Sequence, residues 1–326
     1  MTPENLAGRT ISGYRLVERV GEGGTATVYR AHHDAHGRCA FKTLRERLRT
    51  DPTAVKRFLR EAEYGGRVQH PGVVRTYDYG QHDGIHYLAL EWVEGLPLGQ
   101  TVQDRGSLPP DEVAEVVRQL ADALSATHAV GIIHRDLKPE NIIYDSATRR
   151  VKLLDFGIAR DAQEPSSERL TRAGFFVGSL QYVSPEALSG ELVAEGADIY
   201  SLATITYYLL TGTHPYPGRT PRELFHQLLT EQPRPLNQAT AKTKFPAALE
   251  AAVMKGLART RSSDSRLSHR SPRRLPKPSV PPNRSPRRAG ACWGPSGPGW
   301  ALGTNSSSSN YYYTLTTSTD PTQADP

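Results

Sequence analysis

His134, Arg135, Asp136, Leu137, Lys138, Pro139, Glu140 and Asn141 are consecutive, and Asp155-Phe156-Gly157 begins 14 residues after Asn141. Within 22 residues the chain supplies a carboxylate base, a cation and two oxygen donors for a hard metal ion. That is the equipment for moving the γ-phosphoryl group of ATP onto a hydroxyl. Such a transfer asks the protein for positioning, and for charge that offsets the charge developing on the phosphoryl oxygens. Magnesium suits this sparse donor set, because it takes few carboxylates and completes its shell with phosphate oxygens and water.

Two stretches nearer the N-terminus fit the same chemistry. Gly21-Glu22-Gly23-Gly24-Thr25-Ala26-Thr27-Val28 lies between two strand-like runs. Glycines let a backbone close over phosphates with no Cβ in the way. Ala26 stands where a third glycine is usual, and taken alone the motif fits any hairpin. A strand on both sides disfavours a dinucleotide fold, which needs a helix after the glycines. Ala40-Phe41-Lys42 follows, and Glu61 comes 19 residues after Lys42. Taken singly, Lys42 and Glu61 read as solvated surface charges. With the loop at 134–141 in the same chain, they read as an ion pair.

In this order, over about residues 14–260, the motifs resemble the protein kinases. They are most similar to the bacterial eukaryotic-like (Hanks-type) serine/threonine kinases, through Glu22-Gly23-Gly24-x-Ala26-x-Val28-Tyr29 and Val183-Ser184-Pro185-Glu186-Ala187. The resemblance implies a role for each matching residue. Asp136 accepts and orients the substrate hydroxyl, and Lys138 faces the γ-phosphate. Lys42 holds the α- and β-phosphates and pairs with Glu61. Asn141 and Asp155 bind Mg²⁺, with Mn²⁺ as a substitute. Gly21, Glu22, Gly23, Gly24, Thr25, Ala26 and Val28 cover the nucleotide. Ala40, Leu90 (the gatekeeper position), Glu91 and Val93 of the hinge, and Ile143 surround the adenine. Asp198 anchors the catalytic loop from a buried helix.

Lys138 matches serine/threonine rather than tyrosine kinases, and His-Arg-Asp differs from the His-Gly-Asp of antibiotic kinases. The partners implied are protein substrates, with small-lobe homodimers known in the group and no specific nucleic acid. Arg135 beside Asp136 is the arrangement of kinases switched on by loop phosphorylation. A phosphate carries about −1.5 to −2 charge at neutral pH and would pair with that arginine. Thr171 is the first candidate for this switch, with Ser166 and Ser167 behind it. Ala173 stands where relatives often carry a second threonine.

Elements must hold these residues in place. Ile11–Val20, Thr27–Ala31, Arg38–Leu44 and Ile85–Val93 read as strands, interrupted by one helix that Pro52 opens and that runs to about residue 69. From about residue 98 the pattern turns helical. Pro109-Pro110-Asp111-Glu112 is a start signal, and Val113, Val116, Val117, Leu120, Ala121 and Leu124 form one stripe. Further helices are expected over Ala197–Leu210, Thr220–Thr230 and Pro246–Leu257. The fold class is α+β: a small antiparallel β lobe with one helix (about 14–93) and a larger, mainly helical lobe (about 94–260). Residues 1–13 read as an N-terminal extension.

Residues 261–326 break the pattern. They are rich in Ser, Pro, Arg and Gly and show no apolar period, so a disordered tail is expected. The tail holds 9 Lys/Arg against 3 Asp/Glu, whereas residues 1–260 hold 31 of each sign. The basic character therefore does not make the body a nucleic-acid binder. Where relatives continue with Asp-Pro-x-x-Arg-Pro and a last helix, this chain reads Thr260-Arg261-Ser262-Ser263-Asp264-Ser265-Arg266. The arginine that would pair with Glu186 is missing unless Arg266 replaces it. This fits a frameshifted or truncated gene end. It also supports a second reading, a catalytically weak pseudokinase or nucleotide-binding scaffold. A third reading takes the tail as a basic interaction arm.

Cys39 and Cys292, 253 positions apart, suggest neither a disulfide framework nor a zinc site and fit a reducing compartment. The polar N-terminus shows no signal peptide, and the longest apolar segment, Ile199–Leu210, is too short to span a bilayer. A cytoplasmic location is expected.

Overall fold

The computed structural model describes residues 5–155, 180–189, 194–241, 243–259 and 312–313. The chain divides into two units, residues 1–259 with 307–326 and residues 260–306, and every described residue belongs to the first.

The small lobe is one antiparallel sheet of β1 (Thr10–Ile11), β2 (Tyr14–Glu22), β3 (Ala26–His33), β4 (Gly37–Leu44), β5 (Thr76–His82) and β6 (Ile85–Glu91), in the order β1-β2-β3-β4-β6-β5. The β3–β4 hairpin is in continuous register from Ala26↔Leu44 to His33↔Gly37. Gly37 turns the chain at φ +66°, a left-handed conformation that costs glycine little.

Side chains alternate between the two faces of a strand, and β4 shows what this does. Cys39 and Phe41 point to one face, into a cluster with Tyr14, Leu16, Tyr29, Tyr87 and Ala89. Leu44 points to the other, packing with Ala26, Leu88, Phe58 and Ala62. Lys42 shares that second face, in register with Val28 and Leu88.

Phe58 and Ala62 come from helix α1 (Pro52–Arg67). Asp51 caps it by accepting a hydrogen bond from the Thr53 amide at 2.9 Å, and Pro52 fills the first turn, where no amide donor is needed. The helix ends at Arg67, slightly short of its expected end near residue 69, because Val68 adopts an extended conformation.

Leu6 and Ile11, which precede the expected domain start at residue 14, are buried in the sheet's outer cluster, and β1 pairs with β2. Strand β5 was not legible as a strand: its residues, Thr-Tyr-Asp-Tyr-Gly-Gln-His, are mostly polar and largely half-buried or exposed at the sheet edge.

The large lobe is built on α3 (Pro110–Ala129), with α2 (Leu98–Arg105) before it and the central α5 (Glu195–Thr211) after the short α4 (Pro185–Leu188). The stripe Val113, Val116, Leu120 and Leu124 of α3 joins one core with Tyr200, Ile205 and Leu209 of α5. Gly212 ends α5 at φ +69°, its amide closing on the Tyr208 carbonyl. Helices α6 (Pro221–Thr230), α7 (Leu236–Ala239) and α8 (Ala247–Gly256) complete the lobe. Thr220 caps α6 by accepting from the Glu223 amide.

A second, three-stranded sheet of β7 (Leu96–Pro97), β8 (Ile142–Asp145) and β9 (Arg150–Leu153) lies in this lobe and was not anticipated. Its strands are two to four residues long, too short to show a period. Glu186 on α4 is half-buried and makes no ion pair among the described residues. Of the tail, Tyr312–Tyr313 form β10, which pairs with Glu22 and Gly21 of β2. Among the described residues no helix is long and apolar enough to cross a membrane.

Candidate active site

The loop from His134 to Asn141 runs between α3 and β8, and its backbone is set from below by Asp198 on α5. Asp198 is fully buried. Its Oδ2 accepts from the His134 amide at 2.9 Å and faces His128 Nε2 at 2.8 Å, and its Oδ1 accepts from the Arg135 amide at 2.9 Å. A buried carboxylate is tolerated only with such partners. Arg135 sits at φ +63°, left-handed backbone that a non-glycine residue adopts at a cost of about 1–3 kcal/mol. The Asp198 contact to its amide holds it there. His134 is also fully buried, with Nε2 3.3 Å from the Leu154 carbonyl.

Above this anchor, Asp136 is held on both sides. Lys138 Nζ donates to Asp136 Oδ2 at 2.9 Å. Asn141 Nδ2 donates to the Asp136 carbonyl at 2.8 Å and to Oδ2 at 3.1 Å. Pro139–Asn141 form a 3₁₀ turn that folds Asn141 back towards Asp136. The Leu154 amide donates to the Asn141 carbonyl at 2.8 Å, fixing Asp155 beside the same loop.

The second cluster spans both lobes. Lys42, 1% exposed, donates to Glu61 Oε1 at 2.6 Å and to Asp155 Oδ2 at 2.8 Å. Strand alternation aims Lys42 at α1, and Glu61, one position before the buried Ala62, meets it. Two carboxylates thus share one buried ammonium, and they titrate apart. Burial pushes Glu61 up from 4.5 to about 8, against the pull of Lys42. Burial also acts to raise Asp155, but the Lys42 charge and its hydrogen bond outweigh this and hold Asp155 below the ordinary range.

The expected adenine-site residues converge. Leu90, Val93 and Ile143 pack with Val74 and Leu154, and Ala40 lies opposite Leu90 in the sheet register. Leu90 also touches the α1 cluster, so the gatekeeper position bridges the two hydrophobic groups. Val28 is buried opposite Lys42. Glu91 forms a 2.7 Å ion pair with Lys152 and accepts from the Arg75 amide. Gly21 and Glu22 lie at the end of β2, and Gly23, Gly24 and Thr25 form the turn into β3, closed by a 2.8 Å bond from the Gly23 amide to the Ala26 carbonyl.

Three contributors were missed from sequence. Val74 and Leu154 join the apolar cluster of Leu90, Val93 and Ile143, and nothing in their residue type marked them. His128 backs Asp198 from the end of α3, and nothing in the α3 stripe marked it. The candidate phosphosites Thr171, Ser166 and Ser167 lie outside the described residues.

Among the described residues no group of three His, Cys, Asp or Glu forms a cation site. Asn141 and Asp155 nonetheless fit magnesium. Asn141 commits its amide nitrogen to Asp136, which leaves its Oδ1 to a cation, and phosphate oxygens would complete so lean a shell.

A buried lysine shared by two carboxylates, a clamped aspartate anchored on a helix and a glycine turn between two strands together mark the protein kinase class of fold and site. The protein kinase domain family matches residues 14–268, and the chain belongs to that family. It is 38% identical over 259 residues to serine/threonine-protein kinase PknE of Mycobacterium tuberculosis, covering 79% of this chain and 44% of the relative. It is 37% identical over 263 residues to PknB of Mycobacterium leprae, covering 79% and 41%. The chain thus spans less than half the length of these relatives. Among solved structures, a variant of the M. tuberculosis PknI kinase domain aligns with a TM-score of 0.58 at 30% identity, covering 78% of this chain and 91% of that one. Rad53 in complex with AMP-PNP aligns at 0.53 and 30%, covering 66% and 53%.

Proposed function

We propose that this chain is a protein serine/threonine kinase that transfers the γ-phosphoryl group of ATP, with Mg²⁺, to Ser or Thr hydroxyls of protein substrates, including its own activation loop. The observation that carries this is the pair of clusters meeting at Asp155. Lys42 is fixed for phosphates by Glu61 and Asp155, and Asp136 is fixed for a hydroxyl by Lys138 and Asn141.

In this reading Asp136 accepts the hydroxyl proton and orients its oxygen for in-line attack. Lys138 stands beside it to offset charge on the transferred group. A bound magnesium ion would supply positive charge to offset that of the phosphate oxygens. Asn141 and Asp155 would hold it. Gly21, Glu22, Gly23, Gly24, Thr25, Ala26 and Val28 cover the phosphates, and Ala40, Leu90, Glu91, Val93 and Ile143 receive the adenine. Thr171 is the first-ranked switch, ahead of Ser166 and Ser167, with Arg135 as the partner of its phosphate.

The scaffold reading rests on the altered C-terminal end, and the presence of Lys42, Glu61, Asp136, Asn141 and Asp155, gathered in two clusters, argues against it. The test is transfer of labelled γ-phosphate from Mg-ATP by the purified chain, onto itself and a generic basic protein. Incorporation abolished by Asp136→Asn and by Lys42→Met is the expected outcome. A folded wild type that binds ATP and transfers nothing refutes it.

A further inference from the structure

The glycine turn is held by more than its own hairpin. Arg45, just after β4, donates from its backbone amide to the Thr25 carbonyl at 2.9 Å and from Nη1 to the Gly23 carbonyl at 3.1 Å. Its Nη2 forms a 2.8 Å ion pair with Glu22 Oε1, while Glu22 Oε2 takes Arg19 Nη1 at 2.7 Å. Arg47 Nη2 donates to the Gly24 carbonyl at 2.5 Å. Consecutive residues 22–25 of the turn are thus each tied to Arg45 or Arg47. Arg45 and Glu22 are each 29% exposed at the side chain, so this pair is better shielded from water than a surface pair.

These contacts consume acceptors. The arginines take the carbonyl oxygens of Gly23 and Gly24, the groups that would repel a phosphate, and turn them towards the β4–α1 connection. That connection joins the strand carrying Lys42 to the helix carrying Glu61.

We propose that Arg45, assisted by Arg47, is a positioning residue for phosphate binding. It pins the carbonyls of Gly23 and Gly24 away from the nucleotide, so that the turn meets the phosphates with arginine charge rather than carbonyl oxygen. The proposal rests on the nucleotide-binding part of the kinase reading and not on phosphotransfer.

A phosphate-specific readout separates this role from general stability. Affinities for Mg-ATP and for adenosine are measured by displacement of a fluorescent nucleotide from the full chain, with melting temperature alongside. For Arg45→Gln, Mg-ATP affinity is expected to fall about 5- to 20-fold, as for a partly exposed charge-assisted hydrogen bond. Adenosine affinity should stay within twofold. Arg45→Lys, which keeps the charge for Glu22 but loses the fork, should recover part of the loss. Equal losses for ATP and adenosine, an unchanged ATP affinity, or a wild type that binds ATP no better than adenosine would each overturn the proposal. A wild type that prefers ATP yet transfers no phosphate would end the kinase reading and leave the role of Arg45 intact.

Discussion

The two clusters that meet at Asp155 are built on opposite plans. Asp136, Lys138 and Asn141 lie within six residues and rest on one buried aspartate of the central helix. Lys42, Glu61 and Asp155 come from a strand, a helix and a loop end, with 113 positions between the first and last. The base cluster is fixed by backbone amides that donate to Asp198. The lysine cluster is joined by side chains, with one ammonium between Glu61 and Asp155. The first can only be broken. The second can be rebalanced by whatever changes the charge around it, such as a metal ion beside Asp155 or a shift of α1. Gly65 and Gly66 near the end of α1 weaken that helix by about 1 kcal/mol each, which suits a part that moves.

Four variants sharpen this contrast. Asp136→Asn should cost most in rate, about 10²- to 10⁴-fold in kcat, because the proton acceptor is lost, with a smaller fall in melting temperature because buried Lys138 also loses its counter-ion. Steady-state kinetics and calorimetry on the same sample check both halves. Lys42→Met should do the reverse first: the Asp155 carboxylate loses its buried cation and Glu61 its hydrogen-bond donor, at about 3–5 kcal/mol of stability, and Mg-ATP affinity falls. A Lys42→Met protein as stable as wild type would show that the two carboxylates do not depend on the shared ammonium.

Asp198→Asn keeps one acceptor and turns the other position into a donor facing a donor, a loss of about 1–3 kcal/mol. Hydrogen exchange should show the His134 and Arg135 amides less protected while the small-lobe sheet is unaffected.

Glu61→Gln gives the smallest effect and the most specific one. The folded state raises Glu61 from 4.5 to about 8, so it binds that proton more tightly than the unfolded chain does. The stability this contributes is complete below about pH 4.5 and is lost as pH rises through about 8. Without nucleotide, wild type should therefore lose melting temperature relative to Glu61→Gln between pH 5 and 8. Parallel curves would contradict the assignment.

How much could be read in advance follows the same division. The base cluster is local, so its members stood side by side in the sequence. Lys42 and Glu61 were reachable only through the loop at 134–141 and the resemblance it carries, since taken singly each reads as a solvated charge. Strands β5 and β7–β9 escaped, since polar edge residues and two- to four-residue runs carry no period. Val74 and Leu154 escaped because ordinary apolar residues announce nothing until folding gathers them. Arg45 and Arg47 escaped because arginines after a strand read as solvent-facing charge, and only the closed turn shows which carbonyls they hold.

The dependence of the 134–141 loop on Asp198 also has a consequence in time. The His134 amide and the carboxylate that fixes it are 64 positions apart, with Asp198 the later of the two. At about 5–20 residues per second of synthesis, the loop leaves the ribosome roughly 3 to 13 seconds before its anchor exists. For that interval the carboxylate that accepts from the His134 and Arg135 amides does not yet exist. A nascent chain stalled before α5 would carry every residue of the loop without the carboxylate that anchors its first two amides.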